Sequence, residues 1–232
     1  MEGHRSITRH TSRDLIAARN DVEEKHVPKE LYTVGDVSLL TTGRRVSVVG
    51  TRKPSEEGIR RVRVVVHELV RNDITVVSGL ADGIDAIAHK TAIDRGGKTI
   101  AVLGGPLDNP HPAKNRALFA EIAKNHLAIS QFPSGYPIKP ENFPIRNRLM
   151  ALVTDATIII EAGETSGTRH QGWEALRLGR QVFLLENVDT GLAQLYFERR
   201  VCLLSWFTGR CALTRPAANR NRPGARGFCA IM

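Results

Sequence analysis

The sequence predicts an α/β fold: an extended, Rossmann-like, doubly wound and mostly parallel sheet in a single domain. Three observations predict it. Six short runs rich in Val, Ile and Leu recur between residues 45 and 186. They are apolar at successive positions rather than at alternate ones, as strands covered on both faces are. Segments with helical spacing separate them, and strand-helix alternation at this interval builds a parallel sheet with helices on both sides.

Taken in order, residues 1–30 are polar and weakly periodic, with one short helix expected around Asp14–Glu24. RVSVVG (45–50) is the first strand. A helix follows, because Ile59, Val62, Val65, Val66 and Leu69 share one face, Ser55 is placed to cap it, and Glu56 and Glu57 suit its first turn. ITVVSG (74–79) and KTIAVLGG (98–105) are the next strands, separated by a helix within SGLADGIDAIAH (78–89). A long Pro- and Gly-rich loop (103–119) leads on to HLAIS (126–130). The loop SQFPSGYPIKPENFPIRNR (130–148) is unusually long for a compact domain. It runs into a helix that Leu149, Met150 and Leu152 anchor to the sheet. ATIIIEAG (156–163) and RQVFLLE (180–186) complete the strands, with a helix beginning at Ser166, Gly167 and Thr168. The expected organisation is an N-terminal extension (1–43), the Rossmann-like domain (44–207) and a flexible basic tail (208–232).

Composition narrows the function. Lys and Arg number 33 against 24 Asp and Glu, a formal charge of +9, which favours an anionic partner without choosing among nucleic acid, nucleotide and membrane surface. Cys202, Cys211 and Cys229 lack metal-ligand spacing, and their odd number argues against a disulfide framework; reduced thiols in the cytoplasm are expected. No secretory signal opens the chain, and no apolar run approaches a membrane span. The terminal Cys-Ala-Ile-Met formally fits a prenylation box, a match short enough to arise by chance. The tail carries five arginines and no acid, as either a solvated terminus or a phosphate clamp would.

In doubly wound sheets ligands bind beyond the carboxyl ends of the strands, so the strand-to-helix loops are where chemistry is expected. In GTRKPS (50–55), Gly50 and Thr51 bring the backbone close to a ligand while Arg52 and Lys53 supply charge beside a helix N-terminus; an ordinary polar loop would also read this way. Ser78, Gly79 and Gly83 open the next helix, where backbone N–H groups can cradle a phosphate. Within that helix Asp85 and His89 share a face, best read as a hydrogen-bonded structural pair. Phe143 stands among Lys139, Arg146 and Arg148. A ring interleaved with cations can stack a base while the cations hold phosphates, although a core role for the ring is also open. Ser166, Gly167 and Thr168 form a further anion seat, against which Glu161 and Glu164 count. The chain lacks G-x-G-x-x-G after its first strand, a P-loop and G-x-S-x-G, so no cofactor, metal or catalytic residue is expected.

Together, LYTVGDVSLL, VVGTRKPS, VVSGLADGIDAIAH, AVLGGPLDNPHPAKN, FPIRNR, IIIEAGETSG and LGRQVF resemble the DNA-processing protein A (DprA/Smf) family in order and spacing, over residues 31–188. The resemblance implies a Rossmann fold whose positive pocket grips single-stranded DNA, a homodimer, a RecA-type recombinase as partner, and a role in recombination during DNA uptake and natural transformation. It carries DNA contact to Arg52, Phe143, Arg146 and Arg148, and ligand-facing turns to Gly79, Gly83, Ser166 and Gly167. Departures are Asp82, His111, Gln171-Gly172 and Leu185-Glu186, together with the expected lack of the family's N-terminal helical domain and C-terminal winged helix. The rival readings are a phosphoribohydrolase-like nucleotide-processing enzyme, with Glu174 as its glutamate, and a nucleotide-sensing domain on the same fold.

Overall fold

A computed structural model describes residues 6–18, 20–162 and 167–185, and the backbone of 201–205 and 212–214. The strands are β1 (Thr8–Thr11), β2 (Glu30–Gly35), β3 (Arg44–Val49), β4 (Ile74–Ser78), β5 (Thr99–Val102), β6 (Leu127–Ser130), β7 (Ala156–Ile159), β8 (Gln181–Leu185), β9 (Val201–Ser205) and β10 (Ala212–Thr214). The helices are α1 (Asp21–Glu24), α2 (Glu56–Arg71), α3 (Ile84–Asp94), α4 (Arg116–Asn125), α5 (Asn142–Leu152) and α6 (Thr168–Arg177).

One sheet contains all of these strands in the order β1-β2-β6-β5-β4-β3-β7-β8-β9-β10. Pairing is parallel from β6 through β9 and antiparallel where β2 joins β1 and β6, and where β10 joins β9. The chain steps outward from β3 through β4 and β5 to β6, then returns to the other side of β3 to lay down β7. Strand order therefore reverses between β3 and β7, paired at Val49 and Ile159, and a crevice opens beyond their carboxyl ends. The core is the apolar sheet itself: Val46, Val48, Val76, Ile100, Ile129, Ile158 and Val182 are all essentially buried.

The expected doubly wound sheet is present; five of the six expected strands fall within their runs, and the first, β3, starts one residue earlier at Arg44. Helix α2 forms as its sequence requires: Ser55 Oγ accepts from Gly58 N at 3.0 Å, and Val62, Val65, Val66 and Leu69 face the core. Helix α2 packs on α3, and α5 on α6.

The N-terminal residues depart from expectation. No single helix covers 14–24; a 3-10 turn (Ser12–Asp14) and the four-residue α1, capped by Asn20, stand there instead. Nor do residues 1–43 merely precede the sheet, because β1 and β2 extend its edge. A buried ion pair ties this segment down: Glu23 meets Arg180 at 3.0 Å with side chains 0% and 5% exposed, and Arg180 also donates to the carbonyls of Ala151 and Leu152. Within the expected tail only Ala212–Thr214 is described, as β10; Ser166, Cys211, Cys229 and the rest of 208–232 lie outside the described residues.

Candidate nucleic-acid interface

Beyond β3 and β7 lies a cavity of about 530 Å3, lined by Gly50, Thr51, Arg52, Lys53, Phe143, Arg146, Gly167 and Thr168 among others. The sequence placed all eight in its candidate set. The β3–α2 loop, the β4–α3 turn, helix α5 and the start of α6 build this crevice.

The β3–α2 loop is locked from both sides: Thr51 N donates to the Glu161 carbonyl (2.8 Å), and Thr51 O accepts from Ile84 N (3.2 Å). Gly83 allows the second contact. It adopts φ +73°, and a Cβ there would stand 2.4 Å from Thr51 O. Arg52 and Lys53 are left exposed at the mouth.

Helix α5 supplies the opposite wall. It starts where Asn142 and Phe143 N–H groups find the carbonyls of Lys139 and Pro140, and Pro144 falls in the first turn, where a missing N–H costs nothing. Phe143, Arg146, Asn147 and Met150 repeat at i, i+3, i+4 and i+7, so one helix face looks into the crevice. The Arg52 guanidinium lies 5.9 Å from the Phe143 ring centroid, within cation–π range.

Arg146 is the deepest cation, 6% exposed. Its Nη1 reaches the Val102 carbonyl (3.4 Å) and stands 3.9 Å from Asp85 Oδ2. Gly79 makes room for it, since a Cβ at that position would lie 1.2 Å from Nη1. Burial lowers the Arg146 pKa, the Asp85 carboxylate opposes the shift, and Arg52 adds to it. Burial likewise raises the Asp85 pKa, against the pull of Arg146 and of hydrogen bonds that include Gly79 N at 3.1 Å.

Several expected residues sit elsewhere. Arg148 is two residues from Arg146 and so points to the other side of α5. It donates to Glu174 through Nε (2.8 Å) and Nη2 (3.3 Å), beside a second cavity lined by Lys25, His26, Lys29 and Ile145. Lys139 is exposed on the loop before α5 and lines neither cavity. Ser78 is buried, donating to the Val48 carbonyl at 2.7 Å. Gly79 N is bound to Asp85, so that turn offers Arg146 a seat rather than a phosphate.

The anion seat at the start of α2 is occupied by the protein itself: Glu161 accepts from Ser55 N (3.1 Å) and Ser55 Oγ (3.0 Å). Asp85 and His89 do not pair. His89 Nδ1 is 2.7 Å from Thr99 Oγ1, whose own proton goes to the Val76 carbonyl, so the imidazole is the donor. Burial lowers the His89 pKa to about 3. Sequence reasoning missed Asn147, Met150 and Gln171, all of which line the crevice. The helical repeat counted from Phe143 would have found the first two.

The family model for DNA recombination-mediator protein A matches residues 15–194. The chain belongs to that family. DprA of Streptococcus pneumoniae is 40% identical over 177 residues, 74% of this chain and 62% of its own, and DprA of Bacillus subtilis is 35% identical over 156 residues, 67% and 52%. The chain thus spans about half the length of such relatives. Solved structures agree. S. pneumoniae DprA superposes with a TM-score of 0.73 at 31% identity, covering 85% of this chain and 71% of that one. The family member from Helicobacter pylori, whose structure addresses its single-stranded DNA binding mode, gives 0.74 at 29%, covering 86% and 90%. The molybdenum cofactor binding protein of Rippkaea orientalis, at 18% identity and 0.55, shares the fold alone.

Proposed function

We propose that this family member binds single-stranded DNA in the β3/β7 crevice and acts as a recombination mediator. The observation that carries the reading is the pairing of Arg52 with Phe143 at the mouth of a cavity whose floor holds Arg146. A ring face for a base and guanidinium groups for phosphates are what a flexible single strand offers partners for and a paired, stacked duplex does not. Arg52 and Lys53 neutralise phosphates at the mouth, Arg146 adds positive charge from the floor, Phe143 stacks a base, and Gly50, Thr51, Gly167 and Thr168 shape the walls. Ser166, which precedes Gly167 in sequence, belongs to the proposed contact set. Lys139 and Arg148 hold the strand outside the crevice and contribute less. A homodimer, a RecA-type recombinase partner, a cytoplasmic setting and a part in natural transformation follow from the family reading. Among the described residues no helix is long and apolar enough to cross a membrane.

The nucleotide-processing alternative has less support, because Glu174 faces Arg148 and Arg177 and is absent from the crevice lining. The reading is tested by fluorescence anisotropy with single- and double-stranded oligonucleotides of one sequence. Tighter binding of the single strand is expected. Equal affinity for both would point to the chain's overall positive charge instead of the crevice.

A further inference from the structure

We infer that Gln171 makes the crevice selective for pyrimidines, by hydrogen-bonding the edge of one base of the bound strand. This rests on the single-stranded DNA reading above. Gln171 lies in the first turns of α6, its main-chain N–H directed to the Gly167 carbonyl at 3.3 Å. Its side chain lines the crevice, is 1% exposed and, among the described residues, has no hydrogen-bond partner on either Oε1 or Nε2. Arg146 Nε, in the same lining, is also buried and has no partner among the described residues.

A carboxamide buried with both halves unpaired is destabilising, and buried polar groups are almost always satisfied. The crevice floor therefore calls for a ligand whose polar atoms complement its own. Phosphate is ruled out as that complement: it offers acceptors only and leaves Oε1 unmet. The floor presents two donor groups, the Gln171 Nε2 amide and the Arg146 Nε–H, and one acceptor group, Gln171 Oε1. Its complement carries two acceptors and one donor. The pairing edges of thymine (O4, N3–H, O2) and cytosine (N4–H, N3, O2) have that composition. Adenine has one acceptor fewer, and guanine has two donors and one acceptor. The cavity, about 530 Å3, lies in the range of small-molecule sites, with Arg52 and Lys53 exposed at its mouth for the adjoining phosphates.

The test compares dT, dC and dA oligonucleotides of about twelve residues, the scale of single-strand sites, on wild type and on Gln171→Met, which keeps length and removes the amide. Wild type should hold dT and dC at least about fivefold tighter than dA, the lower bound for one well-made base contact. Gln171→Met should shrink the gap to under about twofold while leaving the salt dependence unchanged. A gap absent from wild type, or one that survives in Gln171→Met, overturns the inference while single-strand binding stands. Folded wild type that binds none of the three overturns the parent reading as well. Thermal unfolding without DNA provides a second check. Gln171→Met should melt at or above the wild-type temperature, because it replaces unpaired polar atoms by apolar ones. A clear drop would mean that the amide is already paired, and would overturn the inference too.

Discussion

Arg146 is held by what surrounds it rather than by a strong ion pair: Gly79 vacates its seat, and Asp85 stands at 3.9 Å. Gly79→Ala puts a methyl where Nη1 now lies, so it should displace the guanidinium. We expect a stability loss of about 1–3 kcal/mol by denaturant unfolding, with weakened DNA binding. A variant with wild-type stability and affinity would show that Arg146 does not occupy that seat. His89 gives a prediction in pH. Its folded pKa, about 3, lies below the ordinary 6.5, so the unfolded chain takes up the proton first. The contribution is complete above pH 6.5 and is lost as pH falls toward 3, a span worth on the order of 5 kcal/mol. His89→Gln should flatten that part of the stability curve, and an unchanged slope between pH 6.5 and 4 would contradict the burial argument. None of this was legible from residue types alone. Arg146 and Arg148 are equivalent as letters, and only helical phase separates a cation on the crevice floor from one forked onto Glu174.

Helix α5 divides two cavities, and its phase decides which of its residues line the crevice. The buried pair Glu23–Arg180 does comparable work at the N-terminus, fastening α1 to the region where α5 and α6 end. Removing one partner leaves a buried charge, so Glu23→Ala should cost about 3–5 kcal/mol of stability. A loss below ~1 kcal/mol would show that the pair is solvated. The central strands were legible because strands buried on both faces are apolar at successive positions. Strands β1 and β2 were not: the first is largely exposed, and the second mixes Thr33 and Tyr32 with Leu31 and Val34. The occupied α2 terminus was not legible: Glu161 counts by sequence against the anion seat at the start of α6, and its reach to Ser55 depends on β3 and β7 being neighbours.

At the scale of the molecule, a charge of +9 attracts any polyanion, and the proposed function places specificity at the switch point where strand order reverses. The two contributions separate in a salt titration, because diffuse charge and discrete contacts both weaken with salt, but only a discrete contact disappears with one side chain. The measurement that bears most directly on the crevice is therefore the salt-dependent affinity of wild type, Arg52→Ala and Phe143→Ala for one single-stranded oligonucleotide. Arg52→Ala should reduce the slope of log K against log salt by about 1. Phe143→Ala should lose about 1–3 kcal/mol of binding while keeping the slope. Wild-type affinity and slope in both variants would contradict the account.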